Sequence, residues 1–166
     1  MIRFLLNPSS GRGAGAKQLD RLRIAASRRG AGLAVSRSAG DLVQQARRAA
    51  IDGVERLLVA GGDGTMHWAI QGLVGTSCAL APIPLGSGND LAGSLGVPRN
   101  LDAAIERGLT APIRPIDLLN TGDFVSVSYA GVGFDSEVTR VANQIQRLRG
   151  PMIYAWAVIK TLKDFK

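Results

Sequence analysis

The sequence predicts a three-layer α/β fold, in which helices cover both faces of a parallel sheet. Short apolar runs alternate with segments whose apolar residues recur at helical spacing, which is typical of strand–helix–strand units. The 166 residues are 46% hydrophobic and 20% charged, so the chain can bury a core. Three glycine-rich stretches follow apolar runs, and in open parallel sheets ligands bind beyond the carboxyl ends of the strands.

Five strands are predicted, and the first four alternate with helices. The strands are expected at 2–6, 32–36, 56–60, 78–83 and 113–119. The helices are expected at 16–29, 40–52, 65–74 and 100–108, the last with Asn100 as its cap. Thr121-Gly122-Asp123 then joins the fifth strand to a strand-like run at 124–129, which predicts a hairpin. Two more helices follow, one at 151–165 and, before it, one whose apolar face is formed by Val138, Val141, Ala142, Ile145 and Leu148.

Composition excludes several classes of function. Net charge is +7, which indicates either a solvated basic surface or an anionic partner such as a nucleotide, a nucleic acid or a membrane face. Aromatic residues make up 5% and do not alternate with basic ones, which argues against a stacking platform for single-stranded nucleic acid. Cys78 is the only cysteine, so no disulfide or cysteine metal site forms within one chain. With no recognisable signal peptide or membrane-spanning run, we expect a cytoplasmic protein, at most peripheral to the inner membrane face.

Gly61-Gly62-Asp63-Gly64-Thr65 follows the third predicted strand. Glycines at a strand end let the backbone approach a ligand closely, and the N–H groups of the following helix can bind phosphate oxygens. A bare Asp63 would repel phosphate, so we expect it to contact magnesium, directly or through water, or a sugar hydroxyl. Thr65 is expected to cap the helix or bind a phosphate. The structural alternative is a tight turn with Asp63 as a cap.

The stretch Asn-Pro-Ser-Ser-Gly-Arg-Gly-Ala-Gly at 7–15 follows the first strand and offers the hydroxyls of Ser9 and Ser10 and the backbone of Gly11. It is not a P-loop, because its last glycine precedes Ala-Lys-Gln rather than Lys and Ser or Thr. Its glycines fit a loose dinucleotide pattern, but no acid ends the second strand. Arg37 could accommodate a 2′-phosphate there, which keeps NADP open as a ligand.

The stretch Pro-Ile-Pro-Leu-Gly-Ser-Gly-Asn-Asp at 82–90 follows the fourth strand. Ser87 supplies a hydroxyl, while Asn89 and Asp90 are expected to orient a nucleotide or bind the water shell of a metal. The alternative is an ordinary turn with an aspartate cap. Beside the other two glycine-rich stretches, we favour a role in binding.

Asp117 lies inside a run that is otherwise apolar. A buried carboxylate is costly unless it is paired or near a metal. Together with Asp63 and Asp90 it is therefore predicted to surround a hydrated magnesium. The alternative is an outward-facing strand residue.

His67 is the only histidine, and it follows the second glycine-rich stretch beside Trp68. One histidine builds no metal site, and the Gly-x-Ser-x-Gly turn of serine hydrolases is absent from the sequence. We expect His67 to be a helix-face residue near the cleft.

Taken in order, these motifs resemble the diacylglycerol kinase catalytic-domain family, which includes bacterial lipid kinases, sphingosine kinases and ceramide kinases. The motifs are NPSSG at 7–11, GGDGT at 61–65, PLGSGND at 84–90, IDLLN at 116–120 and GVGFDSEV at 131–138. GGDGT alone is shared with NAD kinases, whereas its combination with NPSSG and PLGSGND is more specific to lipid kinases.

The resemblance implies a two-domain enzyme that binds ATP and magnesium between its domains and transfers the γ-phosphate to a lipid hydroxyl. Residues 1–120 would form the α/β ATP-binding domain, and 121–166 the truncated start of a β-rich domain that supplies much of the lipid site. Asp63, Asp90 and Asp117 would belong to an aspartate–water–magnesium network. The residues expected to contact ATP are Asn7, Ser9, Ser10, Gly11, Ser36, Gly61, Gly62, Asp63, Gly64, Thr65 and Ser87.

Three features depart from the family pattern. The family continues GGDGT with x-Asn-Glu, whereas Met66-His67-Trp68 follow here, which removes a carboxylate near the nucleotide. Ser87 replaces a commoner threonine and keeps its hydroxyl. Family members are longer, and their proposed catalytic base lies beyond the part present here. We therefore expect this chain to bind nucleotide but to phosphorylate lipid poorly or not at all on its own.

Two alternatives remain open: an NAD kinase-like phosphotransferase, and a non-catalytic nucleotide-binding module in which His67-Trp68 mark lost activity. The expected partner is a lipid, whether diacylglycerol, phosphatidylglycerol, a sphingoid base or ceramide, and not nucleic acid. The basic helix faces and the helix at 151–165 could contact an anionic membrane surface, although packing of that helix against further protein is favoured. A homodimer is left open.

Overall fold

The computed structural model describes residues 1–127, 133–144 and 152–164. The chain divides into two compact units, Met1–Ser128 and Tyr129–Lys166. The domain boundary predicted at residue 120 lies shortly before this division, and the roles predicted for the two domains stay predictions.

The first unit contains the sheet and the helices around it. Its main strands are β1 (Ile2–Leu6), β2 (Gly32–Val35), β3 (Arg56–Gly61) and β4 (Ala79–Pro84). Its helices are α1 (Leu19–Ser27), preceded by a short 3₁₀ turn (Ala16–Gln18), α2 (Ala39–Ile51), α3 (Asp63–Leu73), α4 (Asp90–Ser94) and α5 (Leu101–Thr110). Every strand and helix predicted before residue 111 is confirmed, within a few residues at its ends.

The four strands are parallel and lie in the order β2–β1–β3–β4. Leu5 of β1 pairs with Ala34 of β2 and with Val59 of β3, which in turn pairs with Pro82 of β4. The central strands are apolar from Phe4 onward in β1 and from Leu57 onward in β3, as expected for strand segments covered on both faces. The predicted parallel α/β sheet is confirmed, and the carboxyl ends of its strands meet at one edge.

Alternate residues of the central strands point to opposite faces of the sheet and build two cores. On one face, Leu5, Leu57 and Val59 pack with residues of α2 and α3. On the other face, Phe4 and Leu58 pack with residues of α1 and α5. All five of these strand residues are 0% exposed. The three layers that the sequence predicts are therefore present.

Helices α2 and α3 approach each other closely at Gly72. A Cβ at this position would lie 2.3 Å from the carbonyl oxygen of Val43 and 2.9 Å from the backbone nitrogen of Arg47. The absence of a side chain lets the two helix backbones come close enough to bury the apolar residues between them.

Side-chain caps define where two of the helices begin. Asn100 Oδ1 accepts a hydrogen bond from the backbone N–H of Ala103 at 3.1 Å, which confirms the predicted cap of α5. Ser38 Oγ accepts one from the backbone N–H of Asp41 at 3.1 Å and caps α2 in the same way.

The strand predicted at 113–119 is wrong over most of its length. Residues 112–118 are irregular and exposed, and strand β5 comprises only Leu119–Asn120. Pro112 and Pro115 explain the difference, because proline has no N–H to donate to a sheet. β5 pairs antiparallel with β6 (Val125–Ser126), so the predicted hairpin is confirmed in a shorter form.

The described part of the second unit consists of two helices, α6 (Phe134–Gln144) and α7 (Met152–Asp164). The apolar face predicted for α6 is confirmed at Val138, Val141 and Ala142, which are buried against α7. Its other predicted members, Ile145 and Leu148, lie outside the described residues. None of the helices in the described ranges combines the length and the apolarity that crossing a membrane requires.

Candidate functional site

Three loops meet at the carboxyl edge of the sheet in the first unit. Loop 1 (7–15) follows β1, loop 2 (61–65) joins β3 to α3, and loop 3 (85–90) joins β4 to α4. Because β1, β3 and β4 are consecutive in the sheet, these loops lie side by side. The prediction that the three glycine-rich stretches share one edge is confirmed.

Polar side chains join loop 1 to loop 2. The Asn7 side-chain amide donates to Thr65 Oγ1 at 2.9 Å, and the hydroxyls of Ser10 and Thr65 share a hydrogen bond of 3.2 Å. Thr65 is only 3% exposed. Because its hydroxyl bonds both Asn7 and Ser10, it joins loop 2 to loop 1. It does not cap α3, because the N-cap residue is Gly62 and no side chain bonds that end. A contact between Thr65 and phosphate stays a prediction.

Loop 3 packs directly on the backbones of loops 1 and 2. A Cβ at Gly86 would lie 2.6 Å from Gly62 Cα, and a Cβ at Gly62 would lie 3.0 Å from Gly86 Cα. Gly11 has a φ of +59°, and a Cβ there would lie 2.4 Å from the carbonyl oxygen of Leu85. Side chains at these positions would force the loops apart, so the glycines set the spacing of the site.

The Asp63 carboxylate fixes loop 3 to loop 2. Its Oδ2 accepts a hydrogen bond from the backbone N–H of Asn89 at 2.7 Å, and its Oδ1 accepts one from the backbone N–H of Leu91 at 3.2 Å. Hydrogen bonds to an ionised acceptor are stronger than those between neutral groups. Asp63 is the first residue of α3, yet its carboxylate bonds backbone N–H groups at the start of α4. The alternative prediction, in which Asp63 caps its own helix, is therefore wrong.

Asn89 closes loop 3 upon itself. Its φ is +63°, a left-handed conformation that asparagine tolerates better than most residues. The backbone N–H of Gly86 donates to Asn89 Oδ1 at 2.8 Å, and Asn89 Nδ2 donates to the Gly86 carbonyl oxygen at 2.7 Å. The side chain is therefore engaged within the loop, whereas we expected it to orient a nucleotide or a hydrated metal. The Gly-Ser-Gly-Asn turn is the sequence signal that could have indicated this role.

Of the three predicted acids, Asp63 and Asp90 lie close together. A Cβ at Gly88 would lie 3.0 Å from Asp63 Oδ2 and 3.5 Å from Asp90 Oδ1, so both oxygens border the same space. Asp117 lies on the exposed irregular segment before β5 rather than in a buried strand. Among the described residues, no three acidic, histidine or cysteine side chains form a group that could hold a metal directly. Binding of a hydrated ion by Asp63 and Asp90 fits this geometry, and the role of Asp117 stays a prediction.

Three predicted serine contacts differ in their exposure. Ser36 follows β2 and is buried; its backbone N–H and its hydroxyl both donate to the Leu6 carbonyl oxygen, at 2.9 Å and 3.2 Å. Its hydroxyl is therefore used to join two strand ends. Ser9 and Ser87 are exposed on loops 1 and 3, where a ligand can reach them.

His67 lies in the second turn of α3, close after loop 2. Its ring centroid is 5.0 Å from that of Trp68 and 6.0 Å from that of Phe124. It is a half-buried helix-face residue, as predicted. The contact with Phe124 has no counterpart in the sequence pattern, because it joins residues far apart in the chain.

The edge has the properties of an anion-binding site. The first N–H groups of α3 have no partners within the helix, and the positive end of the helix dipole lies at loop 2. Gly64 is exposed there, and a Cβ would meet nothing within 4 Å. The fold and loops define a class of protein, the α/β domains with glycine-rich loops at the carboxyl edge of a parallel sheet, an arrangement typical of phosphate binding.

Within that class, the chain belongs to the diacylglycerol kinase catalytic domain family, whose profile matches residues 1–121. A probable lipid kinase YegS-like protein of Chromohalobacter salexigens is 36% identical over 121 residues, which cover 70% of this chain and 39% of that protein. A diacylglycerol kinase of Mycobacterium tuberculosis is 33% identical over 173 aligned positions, which cover 99% of this chain and 56% of that protein.

A solved structure has a similar fold. The crystal structure of a diacylglycerol kinase from Bacillus anthracis str. Sterne superposes with a TM-score of 0.64 and 26% identity, over 75% of this chain and 47% of that one. This chain therefore spans about half the length of the relatives that it matches.

Proposed function

We propose that this chain is the nucleotide-binding part of an ATP- and magnesium-dependent lipid kinase, which transfers the γ-phosphate of ATP to a lipid hydroxyl. The observation that carries the proposal is the sheet edge where loops 1, 2 and 3 are locked together around the start of α3. The family supports a lipid as the acceptor, since its members include proteins named lipid kinase and diacylglycerol kinase.

The phosphates of ATP would lie on loop 2. Gly64 leaves open space there, and the first N–H groups of α3 can donate to phosphate oxygens. Ser9 and Ser87, exposed on the flanking loops, would add hydroxyl donors. The bonds from Asn7 and Ser10 to Thr65 would keep the loops rigid. Rigid loops matter because phosphoryl transfer depends on positioning and on stabilisation of charge.

Magnesium is part of the proposal. Mg²⁺ retains several water ligands in proteins and binds few carboxylates directly. Asp63 and Asp90 would hold such a hydrated ion, because each Asp63 oxygen keeps acceptor capacity beyond the N–H bond that it already accepts. When bound, the ion would neutralise charge on the phosphates.

Transfer to lipid is a proposal for the whole protein, because this chain spans about half the length of its relatives. Among the described residues we assign no base for the lipid hydroxyl. We expect the 166-residue chain to bind MgATP while phosphorylating lipid well below the rates of about 1–100 s⁻¹ that are usual for kinases. The identity of the lipid, contact with an anionic membrane surface and a homodimer stay predictions.

The proposed site is tested by titrating the chain with MgATP in a calorimeter, for the wild type and for Gly64→Asp. The new carboxylate would point into the open space above the first turn of α3 and repel phosphate. An acidic residue at the start of a helix stabilises that helix, so the variant should fold. We expect ATP affinity to fall by at least about fivefold, with no loss of thermal stability.

Gly64→Ala is the matched control, because it adds the Cβ without the charge. It should retain clearly more ATP affinity than Gly64→Asp. Equal ATP affinity in the wild type and in Gly64→Asp would contradict the proposed site. Tighter binding of NAD or NADPH than of ATP would favour the NAD kinase-like alternative.

The acceptor is tested with MgATP labelled in its γ-phosphate and vesicles that contain diacylglycerol or, separately, a sphingoid base. Slow transfer of label to lipid, lowered by Gly64→Asp at ATP concentrations below saturation, would support a lipid kinase. ATP binding by the whole protein with no transfer to any lipid, even after long incubation, would favour the non-catalytic module.

A further inference from the structure

Three aromatic rings lie together beside loop 2. His67 and Trp68 belong to α3, and Phe124 belongs to the hairpin formed by β5 and β6. The ring centroids of Trp68 and Phe124 are 5.8 Å apart with nearly perpendicular planes, and His67 contacts both rings. These three residues are called the aromatic trio.

Gln71 fixes Phe124 in the trio. Its side-chain nitrogen donates to the Val125 carbonyl oxygen at 2.8 Å, and the backbone N–H of Val125 donates to Gln71 Oε1 at 3.1 Å. These two bonds tie the hairpin to α3 one turn after His67. Because Phe124 is the neighbour of Val125, it is held against α3 instead of standing on a free loop.

The trio is only partly covered by protein. Phe124 is 47% exposed, and His67 and Trp68 are half-buried. In an edge-to-face pair only one of the two rings has a face covered by its partner. Trp68 pairs edge to face with both other rings, whereas the planes of His67 and Phe124 are tilted by 48°, so the trio retains ring faces that a flat ligand can cover.

The trio continues the surface of loop 2 along α3. Trp68 follows Gly64 by four residues, and His67 follows Asp63 by four, so each lies one turn further along the same side of the helix. The space above Gly64 is open. One turn advances about 5.4 Å, a span comparable with the sugar that separates the phosphates of a nucleotide from its base.

We propose that the aromatic trio stacks against the purine ring of the nucleotide, with Trp68 as the main contact. The inference rests on the proposed function, because it requires the phosphates at loop 2. Stacking on an aromatic ring recognises the area of a base more than its hydrogen-bonding edge. Purines are therefore preferred over pyrimidines, and adenine and guanine are poorly distinguished.

Trp68 itself reports whether stacking occurs. The chain has two tryptophans, so Trp156→Phe leaves Trp68 as the only one. In this variant, MgATP and MgGTP should quench tryptophan fluorescence as they bind. Magnesium tripolyphosphate, which lacks a base, should bind without quenching, and MgCTP should bind more weakly than MgATP.

Substitutions in the trio separate stacking from a purely structural role. Trp68→Leu should lower ATP affinity about five- to 150-fold while leaving tripolyphosphate affinity unchanged. Phe124→Leu should cause a smaller loss of the same kind. Trp68→Phe keeps a ring and should restore part of the ATP affinity. A structural role would instead lower the affinities for ATP and for tripolyphosphate together.

The outcomes distinguish this inference from the proposed function. ATP binding to Trp156→Phe without a change in Trp68 fluorescence would overturn the inference and leave the proposed function intact. Equal loss of ATP and tripolyphosphate affinity in a folded Trp68→Leu variant would do the same. Failure of the wild type to bind either ligand would overturn both. Quenching by short-chain diacylglycerol and not by nucleotide would assign the trio to the lipid.

Discussion

The two units of the chain differ in how completely they bury their apolar side chains. In the first unit, helices cover both faces of the sheet, and residues such as Phe4 and Leu58 are fully buried. In the described part of the second unit, α6 and α7 bury the face that they share, while Trp156 is 48% and Leu162 is 65% exposed. A covered sheet has two buried interfaces, whereas a pair of helices has one.

This difference matters for the candidate site. Loops 1, 2 and 3 begin at the ends of β1, β3 and β4, which belong to the better packed unit. Closely packed interiors resist deformation, so loops anchored on them keep their spacing without a ligand. We therefore expect that the first unit carries the preorganised site, and that apolar side chains on α7 contribute surface more than stability.

The largest effect is expected from truncating a core leucine of the first unit. Leu58 is 0% exposed in β3, and Leu58→Ala should lower the free energy of unfolding by about 2–5 kcal/mol, because it leaves a cavity. Leu162→Ala makes the same chemical change at a side chain that is 65% exposed, and should cost less than about 0.5 kcal/mol. Urea denaturation monitored by circular dichroism measures both.

Similar losses in the two variants would break the comparison, because they would show that Leu162 is buried in solution. The slope of the unfolding free energy against urea concentration serves as the control, because it reports how much surface is exposed on unfolding. If this slope is unchanged between variants, the difference in midpoint reports stability alone.

A smaller loss of stability is expected from a substitution where α2 and α3 are in contact. Gly72→Ala places a Cβ 2.3 Å from the Val43 carbonyl oxygen, and should lower the free energy of unfolding by about 1–3 kcal/mol, because the helices must separate. Gly64→Ala lies in the same helix with nothing near its Cβ, and should be neutral or stabilise by up to about 1 kcal/mol. A harmless Gly72→Ala would contradict the close approach of the two helices. Thermal unfolding of both variants measures the contrast.

The sequence predicted the parallel sheet, its helices and the three loops because these depend on local patterns. Apolar runs of strand length, helical spacing and glycine clusters can each be recognised within a few residues. The segment 113–119 failed because its apolar residues suggest a strand, whereas Pro112 and Pro115 prevent regular pairing. The prediction followed the apolar residues, whereas the two prolines decided the structure.

The contacts that organise the site could not be predicted in the same way. The bond from the Leu91 N–H to Asp63 crosses 28 residues, and that from Gln71 to Val125 crosses 54. Neither changes the periodicity or composition of the segments that it joins. A glycine motif therefore predicts that a loop approaches a ligand, but the partners of its carboxylate become known only from the folded chain.

The smallest predicted effect is on the pH dependence of thermal stability, and it concerns two carboxylates, one in each unit. The pKa of Asp52 is lowered from its ordinary value, chiefly by the hydrogen bond from Arg3 of β1 at 2.9 Å and further by the charge of Arg48. The pKa of Glu137 is lowered by the hydrogen bond from Arg140, three residues along the same helix. The first contact joins a strand to the end of a helix, while the second stays within α6.

Acid unfolding should separate these two contacts. A carboxyl with a lowered pKa stabilises the folded state above its ordinary value, 3.8 for Asp52, and this stabilisation is lost as pH falls through the folded-state pKa. Asp52→Asn should therefore make the Tm less dependent on pH in that acidic range. Glu137→Gln should change the profile little, because an exposed pair within one helix contributes little to stability. Thermal unfolding at a series of pH values between neutrality and about pH 2 measures both variants. Equal changes in the two profiles of Tm against pH would mean that the two carboxylates contribute equally to stability. That result would contradict the difference between the two units.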